Sequence, residues 1–401
     1  MCLFDRFTFS AAKAPITSID KLCEALSVGR EEIEDALSLS NDQKYTETQI
    51  PKSFGKVRKV YNPHRKLRKL QRRINRRLFN PKGKSDSVVN WPIYIYGSVP
   101  NQEIEGTVYN RDYVACARQH CGSRSILKLD ISDFFDNVHE DHVKSIFASL
   151  LSYDDEVANV LTQLCCYNGA LVQGALTSSF LACLCLYDIE PKLVKKLSRK
   201  KLRYTRLVDD ITISSTQPHY DFSMVKDIVI RQLYEKDLPV NKDKIEELYS
   251  GTSPMLVHGL RVNYKEPRLP SEEVSRIRAA VKRIELQAIA PNYRTSHTYR
   301  KDFNRTLGRV NKLARMGHNQ HEKLSSRLSD VRPLPSKKDI ERCWSMLARL
   351  QRDYDSQKGS YWYKRRYQKL NERLIILKRT FYKTEARIRE ALKKIKPEFV
   401  D

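Results

Sequence analysis

Apolar positions in the first forty residues recur at helical spacing: Leu22, Leu26, Ile33 and Leu37 mark a stripe between Ile16 and Leu39, broken at Gly29. The pattern then changes. Between Tyr45 and Pro63, Ile50-Pro51-Lys52 and the Val57 and Val60 positions flank Ser53-Phe54-Gly55, which predicts two short strands around a glycine-containing turn. From Arg65 to Arg77 the spacing returns to a helix, with Leu67, Leu70, Ile74 and Leu78 on one stripe and Lys or Arg at most other positions. Residues 82–112 are polar and glycine-containing, and predict loops with short strands. Ser125 to Leu129 reads as a buried strand ending at Asp130, and Phe134-Phe135 lead into a helix around His142 to Leu151. Leu202 to Ser215 reads as two strands on either side of Asp209-Asp210, which places an acidic pair at a hairpin tip.

Leu256 to Val262 predicts one more short strand, and everything after Pro270 is helical in pattern. From Ser336 onward a helical hairpin is expected, turning at Gly359-Ser360, with Tyr363, Tyr367, Leu370, Leu374, Leu377 and Phe381 forming a heptad seam. A packed helix pair and an RNA-gripping surface are equally good readings of that tail.

Composition sharpens this picture. Lys and Arg number 73 against 48 Asp and Glu, a formal charge of +25, so a polyanionic partner is expected. Nucleic acid comes first. A membrane surface is the rival polyanion, but the richest apolar stretch, Ala170 to Ile189, is interrupted by Gln173 and hydroxyl residues, so no membrane partner is expected. The start, MCLFDRFTFS, lacks the apolar region and cleavage site of a secretory signal, and a cytoplasmic setting is expected. The nine cysteines lack CxxC pairs and read as reduced thiols packed as small hydrophobes rather than as a zinc site. The cationic rod is a candidate phosphate-binding surface through Arg65, Lys66, Arg68, Lys69, Arg72 and Arg73, against the plainer reading of a solvated helix face.

An aspartate at one strand end beside an Asp-Asp hairpin tip is the set needed to bracket two Mg²⁺ ions roughly 3.5–4 Å apart for nucleotidyl transfer. Alone, an Asp pair in a turn is weak, because Asp is a common turn residue. The surrounding residues add weight. Leu127-Lys-Leu-Asp130-Ile-Ser-Asp-Phe-Phe135, Gln173-Gly-Ala-Leu-Thr-Ser-Ser179 and Tyr204-Thr-Arg-Leu-Val-Asp-Asp-Ile-Thr-Ile-Ser214 occur in the order of reverse transcriptase palm motifs. Tyr45 through Gln71 resembles the fingers motif shared by retron and group II intron enzymes, and Ala115-Cys-Ala-Arg-Gln-His120, Val257-His-Gly259 and Thr306-Leu-Gly-Arg-Val-Asn-Lys312 are similar to further retron elements. Together they span roughly residues 16–320, and the chain resembles a bacterial retron-type reverse transcriptase, either a retron enzyme or a related antiphage-defence enzyme.

The resemblance implies an α+β right-hand polymerase. Its parts would be a helical lead-in over 1–44, interleaved fingers and palm over 45–265, a helical thumb over 266–330 and a basic helical-hairpin tail over 331–401. It implies that Asp130, Asp209 and Asp210, with the Ile131 carbonyl, hold two Mg²⁺ ions, and that Phe135 excludes a ribose 2′ hydroxyl. Gln173 and Gly174 would contact the incoming nucleotide and template, Lys52 and Arg58 the triphosphate, and Lys244 would protonate pyrophosphate. Arg309 in the thumb element joins the nucleic-acid contacts. The implied partners are a structured non-coding RNA template, its DNA product, dNTPs and an operon-encoded effector protein. Four departures from the family pattern bear on subfamily. Leu207-Val208 stands for Tyr-Ala before the Asp pair, the two prolines of the Gln-Gly motif are replaced, Cys116 stands for Asn, and His258 for Thr. Two rival functions remain open: template-independent or protein-primed DNA synthesis, and a catalytically silent RNA-binding scaffold.

Overall fold

A computed structural model describes residues 7–51, 57–80, 87–104 and 106–398. The chain forms two compact units, Met1–Arg268 and Leu269–Asp401.

In the first unit the lead-in folds as helices Ile19–Leu26 and Arg30–Leu37, the former capped by the Ser18 hydroxyl accepting from the Lys21 amide. Leu22, Leu26 and Ile33 are buried, which is what the apolar stripe requires. Strands β1 (Tyr45–Pro51) and β2 (Val57–Pro63) then pair antiparallel, Tyr45 facing Pro63 and Pro51 facing Val57. The turn expected at Ser53-Phe54-Gly55 lies outside the described residues. The cationic helix, Arg65–Ile74, buries Leu67, Leu70, Gln71 and Ile74. Gln71 is a fully buried polar node: its side chain donates to Tyr45 Oη at 2.8 Å and to the Leu164 carbonyl at 2.9 Å, and accepts from the Leu176 amide at 3.0 Å. It joins the hairpin, the end of helix Asp155–Cys165 and the loop after Gly174.

The central sheet has five strands: β3 (Ile95–Tyr96), β4 (Ser125–Asp130), β5 (Arg203–Leu207), β6 (Asp210–Ser215) and β7 (Glu246–Tyr249), in the order β7-β4-β6-β5-β3. All pairs are antiparallel except β3 with β5. The apolar run Ile126, Leu127, Leu129 is buried and Lys128 is the half-exposed position, so β4 is the interior strand its sequence implies. The stretch expected as one strand over Leu256 to Val262 is instead a hairpin of Leu256–Val257 with Leu260–Arg261. His258 (φ 48°) and Gly259 (φ 76°) form its two-residue turn, both in the left-handed region that such a turn demands.

The second unit is helical. Ser271–Ile289, His297–Arg315 and Gln320–Asp330 pack through Ile277, Val281, Ile284, Phe303, Val310 and Leu324. The tail hairpin of Lys337–Arg352 and Tyr361–Leu377 turns through Gly359-Ser360, and a third helix, Tyr382–Lys393, closes onto it. Of the heptad seam, Tyr363, Leu370, Leu374 and Leu377 enter a core with Cys343 and Leu347, while Tyr367 and Phe381 pack at its edge.

Candidate active site

Three aspartates meet at one end of the sheet. In the β4/β6 register Asp130 lies directly opposite Asp210, and Asp210 also faces Leu207 across the β5/β6 hairpin, which leaves Val208-Asp209 as a two-residue turn. The Ile131 amide donates to the Asp209 carbonyl at 3.2 Å, and the Asn241 amide to the Asp130 carbonyl at 2.8 Å. These main-chain bonds fix where β4 ends relative to the turn.

The cluster is anionic and partly shielded from water. Burial first, then the charges of Asp209 and Asp130, push the Asp210 carboxyl up to about 6. Asp209 is raised by burial and by Asp130, while Lys244 and Arg58 pull it back. Lys244 Nζ donates to Asp130 Oδ2 at 2.8 Å, which sets a side-chain ammonium against the carboxylate cluster. Lys244 is correspondingly raised by its bond to Asp130. Among the described residues no three His, Cys, Asp or Glu side chains are already gathered as a metal cage. The donor set still fits hard divalent cations, because Mg²⁺ keeps several water and phosphate oxygens and needs few protein carboxylates.

The other expected site residues are distributed around this end. Arg58 is exposed on β2, within electrostatic reach of Asp209; Lys52 lies outside the described residues. The Gln173 carbonyl accepts from the Tyr61 amide of β2 at 2.7 Å. A Cβ on Gly174 (φ 111°) would stand 2.4 Å from the Tyr61 carbonyl oxygen, so only glycine lets the hairpin dock here. Phe134 is buried and Phe135 half-buried beside it, ring centroids 6.1 Å apart. Of the expected phosphate contacts, Lys66 pairs with Asp35 at 2.8 Å and Lys69 pairs with Glu32, while Arg65 is exposed and Arg68 bonds Asn62. Arg72 and Arg73 are half-buried on the same helix. Arg309 is exposed on helix His297–Arg315 of the second unit.

Two groups of residues support this end: Arg206 with Glu190, which no motif singles out, and Cys116 with His258, which the sequence marks only as departures from the family pattern. Beneath the hairpin turn, Arg206 is fully buried and forms a two-pronged pair with Glu190 at 2.6 and 2.7 Å. A charged residue inside an apolar strand was the available signal. Beside Asp210, two of the four family departures touch each other: Cys116 Sγ lies 3.3 Å from His258 Nε2, and His258 Nδ1 lies 3.8 Å from Asp210 Oδ2. The Cys116 thiol donates to Thr205 Oγ1 at 3.2 Å, which is also 2.8 Å from Nε2 of the fully buried His120. Burial lowers His258 to about 4 and His120 to about 3, so both are neutral near pH 7.

Three carboxylates at the tip of an antiparallel hairpin, near the Gln173-Gly174 loop on which a second hairpin docks, are the kind of arrangement a nucleotidyltransferase needs. The sequence pattern of the family described as Reverse transcriptase (RNA-dependent DNA polymerase) matches residues 50–278. The chain is 44% identical over 379 residues to the retron Ec48 reverse transcriptase of Escherichia coli, covering 94% of this chain and 91% of that one. It is 30% identical over 327 residues to the retron Se72 reverse transcriptase of Salmonella heidelberg, covering 80% and 81%. Among solved structures, apo telomerase of Candida tropicalis aligns with a TM-score of 0.43 and 13% identity over 91% of this chain and 69% of that one. The chain belongs to the reverse transcriptase family. It is a retron-type enzyme with the mixed right-hand polymerase fold, and its activity is RNA-directed DNA synthesis, which in this family uses divalent metal ions. Among the described residues no helix is long and apolar enough to cross a membrane.

Proposed function

We propose that the chain copies a dedicated structured non-coding RNA into DNA by a two-Mg²⁺ reaction at Asp130, Asp209 and Asp210, with the Ile131 carbonyl as a further ligand, in the bacterial cytoplasm and in the service of antiphage defence. The observation that carries the chemistry is Asp130 facing Asp210 across adjacent strands with Asp209 in the turn between them. Two ions held by these residues would lower the pKa of the primer hydroxyl and bind the triphosphate and its leaving group. The protein's own residues do the rest. The carboxylates fix the ions, and Arg58 with Lys52 neutralises charge growing on the pyrophosphate. Lys244, bonded to Asp130 in the free protein, exchanges that bond for a phosphate oxygen and delivers a proton to the leaving group. Phe135, half-buried beside the core residue Phe134, closes the space where a 2′ hydroxyl would sit. Gln173 and Gly174, on which the fingers hairpin rests, line the nucleotide and template side. Arg65, Arg68, Arg72, Arg73 and Arg309 contact the nucleic-acid backbone, and Lys66 and Lys69 join them after releasing Asp35 and Glu32. An effector protein encoded beside the enzyme would act downstream of the DNA product. The described cysteines are all free thiols, in keeping with a reducing compartment.

The test has two parts. Asp209→Asn should lower primer extension on an RNA template by at least about a hundredfold, the scale of removing one preset electrostatic group; unchanged extension overturns the assignment. Nucleic acid copurifying with the native protein should be a defined RNA joined to complementary DNA. DNA without a complement in the bound RNA supports template-independent or protein-primed synthesis, and RNA without DNA supports a scaffold.

A further inference from the structure

The Val208-Asp209 turn is held in a strained shape. Val208 sits at φ 60°, a left-handed conformation that a β-branched residue rarely adopts. A two-residue hairpin turn calls for a left-handed residue there, and the Ile131 amide bonded to the Asp209 carbonyl holds the turn from the β4 side. A further support comes from below, where Arg206 is one of the largest fully buried side chains among the described residues. Its Nη1 donates to the Val208 carbonyl at 3.0 Å, and its Nη2 to the Cys183 carbonyl at 2.8 Å. Nε and Nη2 together grip the Glu190 carboxylate, and Tyr204 Oη donates to Glu190 Oε1 at 2.7 Å. The placement suits both charges. Cys183 is in the last turn of helix Ser178–Leu184, whose free carbonyls attract a cation, and Glu190 opens helix Glu190–Arg199, whose free amides attract an anion. From above, Gly97 leaves room for the turn: a Cβ there would stand 2.8 Å from Val208 Cγ2.

We propose that Arg206 is a positioning residue for the polymerase reaction, and that the Arg206–Glu190 pair anchors the Val208 carbonyl so that Asp209 and Asp210 present their carboxylates in one fixed geometry. The proposal rests on the reading that these two aspartates bind the metal ions. A pair needed only for folding would be replaceable by apolar side chains of similar volume, since buried ion pairs commonly contribute little net stability. A pair that positions the turn would not be, because no apolar side chain can donate to the Val208 carbonyl.

The experiment uses the full chain in four forms: Arg206→Lys, Arg206→Met, the triple variant Arg206→Met/Glu190→Leu/Tyr204→Phe, and Asp209→Asn. For each, Tm is measured, with kcat and KM for dNTP on an RNA template, and Mn²⁺ affinity by electron paramagnetic resonance without nucleic acid. Arg206→Met should lower Tm by roughly 5–15 °C, because it leaves Glu190 charged and buried. The triple variant should recover Tm to within about 4 °C of the wild type. Its kcat should still fall at least about tenfold and its Mn²⁺ affinity weaken about tenfold, with KM nearly unchanged. Arg206→Lys keeps the charge beside Glu190 but cannot reach both carbonyls, and should fold while losing kcat. Wild-type kcat and Mn²⁺ affinity in either the triple variant or Arg206→Lys overturns the proposal. Asp209→Asn separates the two levels: unchanged Mn²⁺ affinity there removes the metal-site reading itself, whereas a loss there with no loss in the Arg206 variants removes only the positioning role.

Discussion

Asp210 carries the largest consequence of the cluster at the scale of one side chain. Its carboxyl is raised from the ordinary aspartate range, near 4, to about 6 by burial and by its two acidic neighbours. A carboxyl with a raised folded-state pKa binds its proton more tightly folded than unfolded, so its contribution to the stability of the metal-free protein rises as pH falls from about 6 to about 4 and declines as pH rises through that window. The buried neutral His258 and His120 act oppositely, since their depressed values mean that acidification favours the unfolded chain. A difference experiment isolates Asp210. The Tm of the wild type minus that of Asp210→Asn, in chelator, should decrease as pH rises from 4 to 6; a flat difference would refute the shift. Cys116 and His258 offer a second prediction. Cys116→Asn adds volume to a fully buried position, and His258→Thr removes volume 3.3 Å away. Each alone should lower stability, and the pair should cost less than the sum, with a coupling of about 0.5–3 kcal/mol in denaturant unfolding. Additive losses would show that the two positions are independent.

Between elements, Gln71 ties the β1/β2 hairpin to helix Asp155–Cys165 and to the loop after Gly174. Its amide serves Tyr45, Leu164 and Leu176 at once, so Gln71→Leu strands three polar groups in the interior at about 1–3 kcal/mol each. Thermal unfolding should show a loss of several kcal/mol, and a variant as stable as the wild type would mean that water replaces the amide. Such nodes explain which parts of the structure were legible beforehand. The β5/β6 hairpin was visible because its signal is local: apolar strands on both sides of an Asp pair within a dozen residues. Gln71, inside a run of cations, gave no local sign that it would be fully buried, because its partners lie 26 to 105 residues away. The Cys116–His258 contact spans 142 residues and likewise has no local pattern. Leu256 to Val262 carries the pattern of a single strand although it is a hairpin, because its turn is His-Gly rather than the usual Asn-Gly or Asp-Gly. At the tail, apolar spacing showed the two long helices but not that Phe381 would precede a third.

For the whole molecule, a formal charge of +25 makes RNA affinity steeply salt-dependent, with log K falling by about 0.7–0.9 per phosphate contact for each unit of log salt. Net charge alone does not say which cations carry that slope. Lys66 already has Asp35 at 2.8 Å, and an exposed pair of this kind contributes roughly 0–1 kcal/mol, so binding a phosphate there exchanges one anion for another. Arg309 is exposed, and a phosphate contact there adds a full counterion release. The two substitutions should therefore separate in a salt titration of RNA binding. Arg309→Gln should reduce the slope by close to one contact's worth, and Lys66→Gln by distinctly less, because the Asp35 it frees is an uncompensated negative charge that lowers affinity at every salt concentration more than it changes the slope. Equal reductions in slope would mean that Lys66 leaves Asp35 completely on binding, and that the cationic helix engages RNA as strongly as the second unit does. No change for Arg309→Gln would remove helix His297–Arg315 from the RNA-binding surface at that position.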